Sequence, residues 1–180
     1  MVKFVSPEDK LTFEFSIEGY EFPDIKLDTD GNWLLVRYQV NYKGKEFIKI
    51  DPSILTSEFL KLIDWFGCVS NNNIPEYVNC SFMEPNLEFM LFAHRNGKIR
   101  YGIKLDAESK PDFIMDNYIT TEDGPITEFE DILDNISLIH QQSDGEEFVM
   151  IFENTFDELK VIHKQLQNEY DKFPMRGEVL

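Results

Sequence analysis

Residues 87–105 read LEFMLFAHRNGKIRYGIKL, in which two strand-like runs flank the pair Asn96-Gly97. Asn-Gly between two such runs is the strongest short signal for a β-hairpin, because both residues tolerate the positive φ angles of a type I′ turn. The stretch therefore predicts two antiparallel strands, Leu87–Arg95 and Lys98–Leu105, joined by a tight turn.

A second hairpin is predicted nearer the start of the chain. Apolar and polar residues alternate over residues 10–19 and again over 32–42, which is typical of strands with one buried face. The pair Lys43-Gly44 then turns the chain into a strand over 45–50. Weaker patterns predict further strands over residues 78–83, 112–119 and 147–152.

Two helices are predicted from capping residues and apolar spacing. Thr56 is placed to cap a helix that runs to Cys68, because its hydroxyl can accept a hydrogen bond from the first turn. Thr155-x-x-Glu158 is a capping box, which begins the longest and clearest helix. We expect that helix to end at Phe173, which is followed by a proline.

A third helix is predicted from the capping box Thr127-x-x-Glu130, but its extent is open. Residues 136–142 can either continue that helix or pair as a strand with 147–152. We found no internal repeat and no linker, so residues 1–180 are expected to form a single domain. The predicted fold class is α+β: an antiparallel sheet or sandwich of about seven strands with two or three helices, the longest at the C-terminus.

The charge of the chain is large and unevenly distributed. The net charge is −17, and residues 111–159 contribute −14 of it, with 14 acids and no Lys or Arg. A strongly negative field repels phosphate, so direct binding to nucleic acid is disfavoured. The same field would speed the encounter with a basic protein partner. The alternative is that the acids serve only solubility.

The sequence contains no recognisable catalytic, metal or cofactor site. His94, His140 and His163 are scattered, and none has a second ligand at the spacing of a zinc site. There is no glycine-rich phosphate loop and no Gly-x-Ser-x-Gly elbow. We therefore predict no enzymatic activity, no cofactor and no bound metal.

Cysteine usage and hydropathy indicate the expected compartment. Cys68 and Cys80 are interpreted as reduced core thiols, which is typical of a reducing environment. No apolar run approaches the ~20 residues of a membrane-spanning helix. The start of the chain has no secretory pattern. The expected location is the cytoplasm, without membrane contact.

Six short strings follow one another along the chain. They are Gly19-Tyr20-Glu21-Phe22-Pro23, Asn32-Trp33-Leu34, Asp51-Pro52-Ser53-Ile54-Leu55-Thr56, Asp64-Trp65, Phe82-Met83-Glu84-Pro85-Asn86-Leu87-Glu88-Phe89 and Phe173-Pro174-Met175-Arg176-Gly177. In this order they resemble the WapI-type immunity proteins, a family of small bacterial proteins that neutralise toxin domains. The resemblance implies a cytoplasmic, non-enzymatic protein that binds a toxin, and it supplies no catalytic residues. Residues 106–145 have no counterpart that we can place.

The six strings also have structural interpretations. Asp51-Pro52 is expected to break a strand before the first helix, and Phe173-Pro174 to stop the last one. Trp65 is expected to pack the first helix on the sheet, the alternative being an exposed anchor. If the strings define the fold, the partner contacts lie elsewhere, on acidic and aromatic surface.

Our hypothesis for the partner follows from charge. Nucleases attract phosphate and are often basic at the active cleft, which an acidic surface can fill as a phosphate mimic. The expected partner is thus a basic toxin domain, plausibly a nuclease. The candidate partner-binding residues are Glu122, Asp123, Glu128, Glu130, Asp131 and Asp134. The competing hypothesis is an acidic adaptor or assembly module of unknown partner with no toxin link.

Overall fold

The computed structural model describes residues 1–95, 97–113 and 148–177, which form two four-stranded antiparallel sheets and two α-helices. The first sheet comprises β1 (Val2–Ser6), β2 (Leu11–Tyr20), β3 (Trp33–Tyr42) and β4 (Lys45–Leu55), and α1 (Thr56–Ser70) follows it. The second comprises β5 (Asn79–Ser81), β6 (Leu87–Arg95), β7 (Lys98–Leu105) and β8 (Phe148–Thr155), and α2 (Phe156–Lys172) follows it. Short 3-10 helices span Thr29–Asn32 and Ala107–Ser109. The predicted α+β class is confirmed.

The two halves of the described chain share one topology. Each is a four-stranded meander in sequence order, followed at once by a helix. The two helices pack against each other, and each also contacts the first strand of the other half: α1 contacts β5, and α2 contacts β1. The structure thus contains a repeat of topology for which we found no signal in the sequence.

The core is one continuous apolar cluster that joins both sheets and both helices. The Phe4 ring is at its centre, because it contacts Phe13 of the first sheet, Phe66 of α1, and Phe89 and Phe152 of the second sheet, with ring centroids 5.7–6.2 Å apart. Aromatic pairs at this spacing add to the stabilisation that burial provides. The phenylalanine rings therefore pack the two halves of the fold against each other.

Both predicted hairpins are confirmed. Arg95 pairs with Lys98 across the turn, and Gly97 has a φ of +73°. Tyr42 pairs with Lys45 across the other turn, where Gly44 has a φ of +86°. The predicted alternation of β2 and β3 is also confirmed by their burial patterns.

Several boundaries differ from the expectation. Strand β4 continues through Pro52 to Leu55, and the register with β3 skips Ser53. Proline is tolerated there because β4 is an outer strand of the sheet in the part that the structure describes. The predicted strand over 78–83 is confined to Asn79–Ser81, and β1 was not predicted at all. Residues 112–113 belong to no strand, while 114–119 and the predicted helix at Thr127 lie outside the described residues.

The start of α1 corrects a second expectation. Its N-cap is Leu55, and Thr56 is the first helical residue. The Thr56 hydroxyl does not cap the helix, because it donates to Oδ1 of Asn32 at 3.0 Å. The backbone N–H of Leu55 donates to the Glu58 carboxylate at 3.0 Å instead. Neither described helix has the length and apolar character needed to cross a bilayer.

Candidate functional site

The C-terminal string is held against the loop that follows β2 by one arginine. The Arg176 guanidinium donates to the carbonyl oxygens of Phe22 and Pro23 at 2.9 Å each, and also to that of Gly31. The same group lies 3.6 Å from the centre of the Tyr20 ring, which is a cation–π contact. Arg176 therefore joins the first and last strings through a planar fork that lysine cannot reproduce.

The Asn32 side chain extends this connection to the start of α1. Its Nδ2 donates to the carbonyl oxygen of Arg176 at 2.9 Å, and its Oδ1 accepts from the backbone N–H of Arg176 at 2.8 Å. The same Oδ1 accepts the hydroxyl of Thr56. Asn32 is only 4% exposed, so its side chain is buried at the centre of this network. Four of the six strings meet here.

Two carboxylates connect the string that begins at Phe82 to strand β4 and to helix α1. Asp51 accepts from the Asn86 side-chain amide at 2.9 Å and from the Ser109 hydroxyl at 3.1 Å. Glu58, in the first turn of α1, accepts the backbone N–H of Met83 at 2.7 Å in addition to that of Leu55. Asp51, Asn86 and the backbone of Met83 are thus engaged within the chain, which agrees with the structural interpretation of the strings that contain them.

Trp65 belongs to the fourth string, Asp64-Trp65. It is 4% exposed, its indole N–H donates to the carbonyl oxygen of Tyr77 at 3.1 Å, and its ring meets that of Phe66 edge-on at 5.0 Å. The expectation that Trp65 packs α1 on the sheet is confirmed, and the alternative of an exposed anchor is wrong.

An open groove of about 610 Å³ lies between α1 and the segment that leads into β5. Its lining residues are Lys61, Asp64, Trp65, Cys68, Pro75, Glu76, Tyr77, Asn79, Cys80 and Ser81. Tyr77 is 70% exposed, while Oδ1 of Asn79 is enclosed and has no hydrogen-bond partner among the described residues. A groove of this volume, with mostly apolar walls and a few polar groups, is typical of binding sites. The sequence patterns do not predict this groove, although Tyr77 lies in a segment without strand or helix spacing, which was an available signal.

The two cysteines of the groove are not a reactive pair. Both are free; Cys80 is 7% exposed, and burial raises the pKa of its thiol to about 12. The expectation that both are core residues holds for Cys80, but Cys68 is half-buried and lines the groove. Among residues 1–95, 97–113 and 148–177, no cluster of His, Cys, Asp and Glu could hold a metal ion.

The thiol of Cys80 is expected to react at least tenfold more slowly with iodoacetamide than that of Cys68 at neutral pH, because only the thiolate is nucleophilic. Mass spectrometry of timed, quenched samples of the native protein measures both rates. In urea the two rates should converge. A native Cys80 that reacts as fast as Cys68 would contradict the burial of this thiol.

The six acidic candidate residues lie outside the described residues. They are Glu122, Asp123, Glu128, Glu130, Asp131 and Asp134. The described chain on either side of them meets at one corner of the fold, where the Phe113 and Phe148 rings are 5.6 Å apart. Phe113 also stacks on Tyr42, and the Lys45 ammonium is 5.5 Å from the centre of the Phe113 ring. The chain therefore leaves and re-enters the described fold beside the β3–β4 hairpin.

Comparison with known proteins gave one finding. The sequence model of the immunity protein WapI-like family matches residues 4–174. No curated protein matched the chain, and no solved structure matched it either.

Proposed function

Because the chain belongs to the immunity protein WapI-like family, we propose that it is a bacterial immunity protein that binds and neutralises a toxin domain in the cytoplasm. The observation that carries the proposal is the family match over nearly the whole chain. Immunity families act in general by binding rather than by catalysis. The protein is accordingly proposed to have no activity of its own and to bind neither nucleic acid nor a membrane.

The internal contacts of the strings support a particular division of the chain. Three polar side chains form hydrogen bonds with other parts of the fold, so they are not available to a partner: those of Arg176, Asn32 and Glu58. We therefore propose that these residues serve the fold and that the partner is recognised on other surfaces. The segment with the greatest excess of charge is the first candidate for such a surface.

The proposed partner is a basic toxin domain, and a nuclease fits that charge. Residues 111–159 contribute −14 of the net −17, which would attract a basic cleft over roughly a Debye length of ~8 Å at physiological salt. Attraction between opposite surface charges mainly raises the association rate. The six acidic residues 122, 123, 128, 130, 131 and 134 are proposed as the contact.

Neutralising the six acids to Gln and Asn is expected to slow association with the toxin domain about tenfold at low salt, because steering by opposite charge is lost. The test uses a catalytically inactive form of the polymorphic C-terminal domain that we expect to be encoded immediately upstream. Surface plasmon resonance at rising salt measures the rate constants. Wild-type association should slow as salt rises, and the variant should be nearly insensitive to it.

A matched control separates the local patch from the net charge. It neutralises six exposed acids elsewhere: Glu8, Glu18, Asp24, Glu84, Glu108 and Asp171. Both variants carry the same net charge, so equal slowing would assign the effect to the whole field, and unchanged association of the first variant would remove the patch from the proposal. If the wild-type chain does not bind the upstream domain, the immunity function itself is wrong.

A further inference from the structure

Residues 25–30 lie in the connection between β2 and β3, and we call them the 25–30 loop. They fall between two of the six strings, one of which ends at Pro23 while the other begins at Asn32. All six residues are exposed, and two of them are large and apolar: Ile25 is 38% exposed and Leu27 is 87% exposed. The loop therefore presents apolar side chains that the rest of the described chain does not cover.

The backbone of the 25–30 loop is nevertheless held closely from behind. A Cβ atom on Gly31 would overlap the carbonyl oxygen of Ile25, and one on Gly177 would lie 2.7 Å from the carbonyl oxygen of Lys26. Only glycine allows an approach of this kind without displacement of the loop. Arg176, which precedes Gly177, also donates to the carbonyl oxygen of Gly31. Two glycines and one arginine thus fix the path of the loop.

This fixed path distinguishes the loop from an ordinary stretch of surface. Single exposed apolar residues are common in proteins and carry no meaning alone. Here, however, buried contacts of the C-terminal string hold the backbone that carries Ile25 and Leu27, whereas their side chains remain exposed. A loop that is already in its bound conformation loses less conformational entropy when a partner binds, which raises the affinity. The arrangement therefore favours a role in recognition.

The charges around the loop indicate the chemistry of its partner. No described residue forms an ion pair with the carboxylates of Glu21, Asp28 or Asp30. Burial, followed by the negative charges of Asp30 and Asp51, raises the pKa of the Glu21 carboxyl, so these acids lie close enough to repel one another. Lys26 is the one base of the 25–30 loop. A second copy of the chain would bring like charges together, whereas a basic surface would be complementary.

We infer that the 25–30 loop is a second contact with the toxin domain, distinct from the acidic segment. Leu27 and Ile25 would enter an apolar depression on the toxin domain, where burial of their exposed surface favours binding. Asp28 and Asp30 would face lysine or arginine side chains at the rim of that depression. The inference rests on the proposed function and adds to it the chemistry of the surface that the toxin domain presents.

The first test measures dissociation of the full chain from the inactive toxin domain by surface plasmon resonance. Ile25→Ala/Leu27→Ala is expected to dissociate at least tenfold faster, with little change in association, because lost short-range contacts act mainly on dissociation. The matched control Ile48→Ala/Val161→Ala truncates two aliphatic residues that are 48% and 57% exposed on β4 and α2, and it should dissociate at the wild-type rate. Leu27→Ala alone should retain the wild-type unfolding temperature and still dissociate faster, because Leu27 contributes little to the isolated fold.

The second test locates the contact directly. Hydroxyl-radical footprinting with mass spectrometry compares the free chain with its complex with the inactive toxin domain. Oxidation of Leu27 should slow at least fivefold in the complex, whereas oxidation of Val161 should not change. Light scattering of the free chain should give a monomer. A dimer that Leu27→Ala abolishes would assign the loop to self-association and overturn the inference.

The two proposals fail in different ways. If the wild-type chain binds the toxin domain, wild-type dissociation of the Leu27→Ala variant or an unprotected Leu27 overturns the loop contact and leaves the immunity function standing. If the wild-type chain does not bind the toxin domain, the immunity function is wrong, and the partner that we assign to the 25–30 loop is wrong with it.

Discussion

Replacing Arg176 with alanine is expected to lower the free energy of unfolding by about 3 kcal/mol. The change removes three hydrogen bonds from a charged donor to backbone carbonyls, at Phe22, Pro23 and Gly31, and the contact with the Tyr20 ring. Hydrogen bonds to charged groups contribute ~1.5–3 kcal/mol each. The loss is smaller than their sum, because water can solvate part of the exposed loop after the guanidinium is gone.

Urea unfolding followed by circular dichroism measures this loss. Lys160→Ala is the control, because it also removes one positive charge but breaks only the exposed ion pair with Asp157 at 3.2 Å. Such pairs contribute less than ~1 kcal/mol. Arg176→Lys should lose most of what alanine loses, since an ammonium cannot reach three separate carbonyls. An alanine variant within 1 kcal/mol of wild type would show that the C-terminal string does not hold the loop.

Replacing Glu58 with alanine is expected to lower the free energy of unfolding by about 3–4 kcal/mol. Glu58 is 6% exposed, and its carboxylate accepts two backbone N–H groups, at Leu55 and Met83. Each donor left unpaired costs ~1–3 kcal/mol. The variant also disconnects the start of α1 from the segment between β5 and β6. Both losses should appear in the same urea titration.

Glu158 is the matched control that the fold supplies. It occupies the third position of α2, as Glu58 does in α1, and accepts the backbone N–H and hydroxyl of Thr155 at 2.8 and 2.9 Å. It is exposed and does not connect α2 to another strand segment, so Glu158→Ala should cost only about 1 kcal/mol. If the two alanine variants lose equal stability, the hydrogen bond from Met83 to Glu58 contributes less to the free energy of unfolding than we predict.

The pH dependence of this control follows from the same contacts. Hydrogen bonds from Thr155 hold the pKa of the Glu158 carboxyl below its ordinary value. A lowered pKa in the folded state means that the stabilisation is present above the unfolded pKa of ~4.3 and is lost as the pH falls through the folded value. The difference between wild type and Glu158→Ala should therefore shrink in acid.

The sequence predicted those parts of the fold whose causes are local. The hairpin at Gly97 depends on two adjacent residues, and the start of α2 depends on Thr155 and on Glu158 three residues later. The alternation of β2 and β3 is strong because each strand is 10 residues long. In all of these, the deciding residues are neighbours in the chain.

The wrong predictions concern features that depend on contacts between residues far apart in the sequence. Strand β1 has 5 residues, too few for a reliable alternation. It is a strand because it pairs with β2 and packs against α2. Thr56 has the side chain of a helix cap, but Asn32 takes its hydroxyl. Pro52 suggested a strand end, yet an outer strand with a skipped register position accommodates it.

The candidate site shows the same division. The order of the strings predicted the family, but it could not predict that Asn32 and Arg176, which are 144 positions apart, hold each other. The groove combines side chains of α1 with residues on the path to β5. From the sequence, Trp65 was expected to pack on the sheet, with an exposed anchor as the alternative, and Cys68 was interpreted as a core residue. The acidic residues remain a prediction of charge, since they lie outside the part of the chain that the structure describes.

The exchange of helices between the halves has a consequence for folding. Helix α2 packs on β1, and α1 packs on β5. The first strand of each meander is therefore covered by the helix that follows the other meander. A partly folded chain with only one half formed would expose the ring of Phe4 or its partners in the other sheet. We expect unfolding to be a single two-state transition, with the same midpoint for helix content and for tryptophan fluorescence.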